Sequence, residues 1–134
     1  MSIQEMAPTM LSECWQDALR YGMELPGAVA DHPFEEDFIT TVLRHGDSRK
    51  WFALLMRVPG GKIGKSEIPF VDLLNLKCAP EDGIIARELF DGILPAYHMN
   101  KTHWITVVLD GSVPTAFCER MIAKSYMLTR RKKK

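Results

Sequence analysis

Between Leu94 and Trp104 the chain places Tyr97, His98, Asn100, Lys101 and His103 in one short segment that leads into the apolar run Val107-Val108-Leu109. These side chains suit contact with a polyanion. The Lys101 ammonium can meet a phosphate, the Asn100 amide can hydrogen-bond a base edge, and Tyr97 or His98 can stack on a base. The two histidines do not read as a metal site. A loop separation of five residues does not turn both imidazoles inward, and no further His or Cys pair lies near in sequence to complete a ligand set. The plain structural alternative is that His98 and Asn100 hydrogen-bond the loop's own backbone while Trp104 fills the core.

Further cations stand elsewhere. Lys77 ends an apolar run and Arg87 follows it in a short helical pattern, and the two would extend a basic patch with Lys101 if strand end and loop meet. The carboxyl terminus carries Arg130, Arg131, Lys132, Lys133 and Lys134. Five consecutive charges can bind phosphate backbones without sequence preference, or serve as a solvated end. Enzyme signatures are missing. Ser125 has no GxSxG elbow around it, Cys14 and Cys118 fall on apolar faces, and Gly60-Gly61-Lys62 lacks the spacing of a phosphate loop. Neither catalysis nor a cofactor is expected. The acidic residues Asp31, Glu35, Glu36 and Asp37 lie in a connector and read as solvated.

Charge and composition set the frame. Lys plus Arg and Asp plus Glu number 17 each, but five of the positives are the terminal run, which leaves 12 against 17 in the body. An acidic body fits poorly with a domain that grips nucleic acid over a broad face. With 134 residues, 46% of them apolar, the chain can bury the core of one domain, expected over residues 1–128 with a basic, disordered tail at 129–134. No apolar run approaches the roughly 18 residues of a membrane span, and the start lacks the layout of a signal peptide. Cys14, Cys78 and Cys118 form no CxxC pair, so reduced thiols in the cytoplasm are expected.

Periodicity supplies the elements that must position these groups. Leu11, Cys14, Trp15, Ala18 and Gly22 share one helical face, which predicts a helix over residues 9–23, ended by Pro26-Gly27. Strands are predicted over 38–43, 51–58 and 70–78, with turns at His45-Gly46-Asp47 and Pro59-Gly60-Gly61. The second of these is apolar on both parities, as a central strand would be. In the third, Leu74, Leu76 and Cys78 face one way and Asn75 and Lys77 the other. Pro80 opens a helix over 80–90, weakened by Gly83, and a strand over 104–109 follows. Ser112 as N-cap starts a last helix over 113–128, with Phe117, Met121, Ile122 and Ser125 on its buried stripe. Short turns between the early strands favour antiparallel pairing, so the expected fold is an α+β two-layer sandwich with helices on one face of the sheet.

Several segments together resemble the MmcQ/YjbR proteins, small bacterial domains with a fold similar to the frataxin/CyaY sandwich. They are Leu25-Pro26-Gly27-Ala28, Lys77-Cys78-Ala79-Pro80-Glu81, Tyr97-His98-Met99-Asn100-Lys101 with His103-Trp104, Thr106 to Ser112, and Ser125-Tyr126. The chain departs from the pattern at Ala79, where an Asp would cap the middle helix, in a longer excursion over residues 59–68, and in its basic tail. The resemblance implies a frataxin/CyaY-like fold, a "double wing" arrangement and a DNA-binding role, and brings no catalytic residue with it. The expectation is therefore a monomeric, non-enzymatic cytoplasmic protein that contacts double-stranded DNA through the 97–104 loop and the tail. The alternative is a protein-interaction or small-ligand module built on the same loop.

Overall fold

The computed structural model describes residues 11–131 except Glu36 and Phe38. Three helices, α1 (Glu13–Met23), α2 (Pro80–Leu89) and α3 (Thr115–Thr129), accompany six strands. The strands are β1 (Ala28–Asp31), β2 (Thr41–His45), β3 (Trp51–Pro59), β4 (Phe70–Lys77), β5 (Ile93–Pro95) and β6 (Trp104–Val108). All pairings are antiparallel, in the order β1-β2-β3-β4-β6-β5. This is the expected α+β sandwich, with β3 in the interior of the sheet.

The helix layer forms because each helix carries an apolar stripe that must leave water. Trp15 and Ala18 of α1, Ala86 of α2 and Met121 and Ile122 of α3 pack on Phe52, Leu55, Leu74, Leu76 and Ile105 of the sheet. Gly22 lets α1 lie close, since a Cβ there would sit 2.4 Å from Leu43 Cδ1. Gly83, expected only to weaken α2, has the same use: its missing Cβ would stand 3.0 Å from Cys78 Sγ and 3.3 Å from Ile105 Cγ2. The opposite face of the sheet is apolar as well. Val42, Leu54, Met56, Val71, Leu73 and Val108 form a second cluster there, with the half-buried Ile63, Leu94 of β5 and Tyr97 packed against it.

The departures from expectation are local. α1 starts at Glu13 because Ser12 caps it, its hydroxyl accepting from the Trp15 N–H at 3.1 Å; Thr9 lies outside the described residues. β2 runs from Thr41 to His45 rather than over 38–43, because the Asp37 carboxylate takes the N–H groups of Ile39 and Thr40 at 3.0 and 2.8 Å before the strand begins; Phe38 lies outside the described residues. β1 and β5 have four and three residues, too short to show a period, and neither is expected from the sequence. α3 starts at Thr115, two residues late. Ser112 belongs instead to a turn in which its N–H donates to Asp110 Oδ1 at 2.9 Å. Thr129, assigned to the tail by the sequence pattern, is buried in the last turn of α3, its hydroxyl donating to the Ser125 carbonyl at 2.8 Å.

Candidate functional site

Residues 96–103 join the hairpin strands β5 and β6 and lie against the face of the sheet away from the helices. Their anchor is a closed ring of hydrogen bonds on two fully buried polar side chains, Asn75 of β4 and Thr106 of β6, which stand opposite each other in register. The Thr106 hydroxyl donates to Asn75 Oδ1 at 2.5 Å and accepts from the Tyr97 N–H at 2.8 Å. The Asn75 amide donates to the Tyr97 carbonyl at 2.8 Å. Both main-chain groups of Tyr97 are thus held from below, and a network with every member satisfied is rigid.

The next residue, His98, adopts φ 60°, a left-handed conformation uncommon outside glycine. Its ring stands edge-on to Tyr97 with centroids 4.0 Å apart. Lys101 Nζ turns back to donate to the Ala96 carbonyl at 2.7 Å. Asn100 behaves as the structural alternative has it: its Oδ1 accepts from the N–H groups of Thr102 and His103 at 2.9 and 3.0 Å, so it shapes the loop rather than presenting that oxygen outward. His103 is exposed, and its carbonyl accepts from the Cys78 N–H at 2.9 Å. Trp104 does not fill the core. It is half-buried at the sheet's end, directly opposite Lys77 in register, on the face that carries Thr106 and Val108.

Lys62, from the 3₁₀ turn Gly60–Ile63, completes this face. Lys62, Tyr97, His98 and Lys101 line one shallow groove, floored by Ile63 and Leu94. Two loops remote in sequence therefore bring two lysines and a pair of rings together. Lys77 belongs to the same face by strand alternation, since Leu76 and Cys78 on either side of it enter the helix-side core. Arg87 does not. It lies on α2 beside Cys78 on the helix-covered face, where its charge opposes the burial that raises the Cys78 thiol above its ordinary range. The expected patch of Lys77, Arg87 and Lys101 is not assembled: Arg87 stands on the far face, and the groove pairs Lys101 with Lys62, with Lys77 on the same face but outside the groove's lining.

The tail goes elsewhere too. Arg130 and Arg131 follow α3 on the helix side, exposed beside His45 and Tyr126; Lys132, Lys133 and Lys134 lie outside the described residues. Lys101 and the described tail cations, Arg130 and Arg131, are thus on opposite faces of the sheet.

Other chemistry has weak support in the geometry. Burial pushes the Cys118 thiol up to about 11, far from a thiolate nucleophile. Ser125 is fully buried and joins two strands, its hydroxyl donating to the Phe52 carbonyl at 2.6 Å and accepting from the Lys77 N–H at 2.9 Å. Among the described residues, no three His, Cys, Asp or Glu side chains cluster as metal ligands, and no helix is long and apolar enough to cross a membrane.

Lys62 escaped the sequence reading because only the fold brings residues 60–63 to the loop. Asn75 left a trace, a polar residue on the alternating face of an apolar strand, but its partner Thr106 could not be identified without the register. His45 read as a turn residue and is instead buried at the end of β2.

Comparison with known proteins agrees with this architecture. The YjbR family model matches residues 23–128. The uncharacterized protein YyaQ of Bacillus subtilis (strain 168) is 38% identical over 117 residues, covering 86% of this chain and 97% of YyaQ. The uncharacterized protein YjbR of Escherichia coli (strain K12) is 29% identical over 110 residues, 82% of this chain and 81% of its own. A crystal structure of a protein from Pseudomonas syringae superposes with a TM-score of 0.80 at 40% identity, covering 90% of this chain and 100% of that one. Deinococcus radiodurans protein DR2400, of domain family DUF419, gives 0.67 at 30% identity, covering 87% of this chain and 78% of its own. With the family model spanning residues 23–128 and a relative covered almost end to end, the chain belongs to the YjbR family.

Proposed function

We propose that the chain is a non-enzymatic, cytoplasmic DNA-binding protein that acts as a monomer and receives the phosphate backbone of a duplex in the groove between residues 60–63 and the 97–103 loop. The observation that carries this reading is the buried Asn75–Thr106 pair beneath Tyr97. Two fully buried polar side chains are spent on fixing a surface loop whose next residue is held at a positive φ, and such outlay is concentrated where a loop must meet something in one shape. What that shape offers is cationic and aromatic: Lys62 and Lys101 for phosphate, Tyr97 and His98 for stacking or van der Waals contact. In this reading the two loops flanking the groove would serve as the wings of the family resemblance. An acidic body confines attraction to this patch, which favours a small footprint over broad wrapping.

The test is fluorescence anisotropy with labelled duplex DNA over a salt series. Binding by the full chain should persist at about 150 mM salt, and Lys62→Ala should weaken it while lowering the salt slope by roughly one. Lys62 is the clean probe, because Lys101→Ala also removes the bond to Ala96. Removing residues 130–134 should leave a measurable fraction of the affinity. Loss of all affinity with the tail, and no response to Lys62→Ala, would sink the reading.

A further inference from the structure

A second groove lies on the helix-covered side, at the carboxyl end of α3. Its walls are the Pro26–Gly27 turn and the Gly46–Asp47 turn, its floor is His45 and Tyr126, and Met127, Arg130 and Arg131 form the rim. The groove is stapled open. The Tyr126 hydroxyl donates to the Pro26 carbonyl, and the Gly46 N–H donates to the Gly27 carbonyl at 2.8 Å, so helix and both turns are tied together. His45 is locked into the floor: its Nε2 lies 2.8 Å from the Thr129 hydroxyl, and its ring lies 4.6 Å from Tyr126 and 5.2 Å from Phe52.

We infer that this groove is a binding site for a small phosphate-bearing ligand with a planar ring, of the nucleotide class. Three features select that chemistry. Two adjacent guanidinium groups offer forked donors that match phosphate oxygens, and among the described residues they are the groove's permanent cations. Met127, 54% exposed where it lines the groove with Pro26, offers a polarizable ledge for a flat ring. The Asp47 carboxylate across the groove, whose Oδ1 takes the Ser48 N–H, can accept from a ring amine or sugar hydroxyl. A bare inorganic anion would use only the arginines. The groove measures about 1020 Å³, room for a whole mononucleotide. This site is separate from the Lys62–Lys101 groove, on the other face of the sheet, and does not depend on the DNA reading.

The experiment is a titration of the ¹⁵N-labelled full chain followed by NMR, with adenosine 5′-monophosphate, inorganic phosphate and adenosine as probes. The monophosphate should move the amides of Gly27, Gly46 and Asp47 and the ring resonances of His45, with phosphate weaker and adenosine weakest. Arg130→Ala with Arg131→Ala lies on exposed positions beyond the helix and should keep the fold while weakening the monophosphate by about tenfold or more. Shifts confined to the Lys62–Lys101 groove, equal affinity for adenosine, an unchanged affinity in the double variant, or no shift up to roughly 10 mM would each overturn the assignment. Duplex DNA added to the same sample should move the 97–103 amides instead, which separates failure of this site from failure of the DNA reading.

Discussion

On the helix-covered face of the sheet, Arg57 of β3 and Asp72 of β4 form a buried ion pair; on the opposite face, Asn75 of β4 and Thr106 of β6 form a buried neutral one. Both sit between adjacent strands and both are nearly or fully inaccessible. They differ in what they hold. Asp72 takes two bonds from Arg57, at 2.6 and 3.1 Å, and one from the Ser12 N–H at 3.0 Å, so it ties the start of α1 to the sheet. Arg57 also lies over the Phe70 ring at 4.3 Å. The charged network therefore joins two layers of the fold. The neutral network joins the sheet to a surface loop. A buried charge is justified where both partners and the surroundings are fixed, whereas neutral amide and hydroxyl groups can position a loop without the large desolvation cost of ions.

The harshest way to break this comparison is Asp72→Ala. It leaves the Arg57 guanidinium buried without its carboxylate and removes the acceptor of Ser12, and losing one partner of a buried pair costs about 3–5 kcal/mol. Urea denaturation should show that loss, while the protein that remains folded should bind DNA as before. A loss under about 1 kcal/mol would mean the pair is solvated in solution and the contrast between the faces is not real.

Thr106→Val is the counterpart on the other face. The methyl replaces the hydroxyl in nearly the same volume, but Asn75 Oδ1 and the Tyr97 N–H lose their partner, a penalty of roughly 1–3 kcal/mol. The distinguishing readout is hydrogen exchange. Amides of residues 97–103 should exchange faster while those of α1 and α3 keep their protection, and DNA affinity should fall together with loop order. Intact DNA binding with a disordered loop would separate the loop from the function proposed for it.

Sequence pattern reached the layers more readily than the site, and these two networks show why. The stripe of Trp15, Ala18 and Gly22 and the alternation of Leu74, Leu76 and Cys78 announce their faces through period alone, and the structure places them there. Pairings between distant positions carry no period. Nothing local links Asn75 to Thr106, Arg57 to Asp72, or Lys62 to Lys101; the first two needed the strand register and the third the packing of two loops. The loop was visible by composition. Its internal use of Asn100 was one of the two readings composition offered, whereas the placing of Arg87 on the far face was not visible, because it depends on which side of the sheet a chain segment crosses.

His45 offers a gentler probe of the helix-covered face. Burial lowers its pKa below 6.5, with Asp47 and the Tyr126 backbone pulling the other way and Arg130 and Lys50 adding to the decrease. The unfolded chain therefore binds a proton at a pH where the native protein does not. Stability contributed by the neutral ring is complete above pH 6.5 and is lost as pH falls through the native pKa. His45→Phe should remove this slope from a plot of unfolding free energy against pH, and leave the remaining carboxylate titrations at lower pH. An unchanged slope would place His45 in water rather than against Phe52 and Tyr126.

The smallest effect should come from Ala79→Asp, which changes the helix layer without touching either network. Ala79 occupies the N-cap of α2 in extended geometry, φ −64° and ψ 143°, and makes no side-chain bond to the exposed N–H groups of the first turn. Only its carbonyl takes part, accepting from the Gly83 N–H at 3.0 Å. An aspartate there can accept from that first turn and meets the positive end of the helix dipole, worth about 1 kcal/mol. Thermal denaturation should show the gain. Because Ala79 leads into α2 on the helix side while Lys77, two residues earlier, faces the loop side, the variant should bind duplex DNA with unchanged affinity. A change in that affinity would mean the two faces are coupled through the end of β4, and the division of labour between the networks would have to be redrawn.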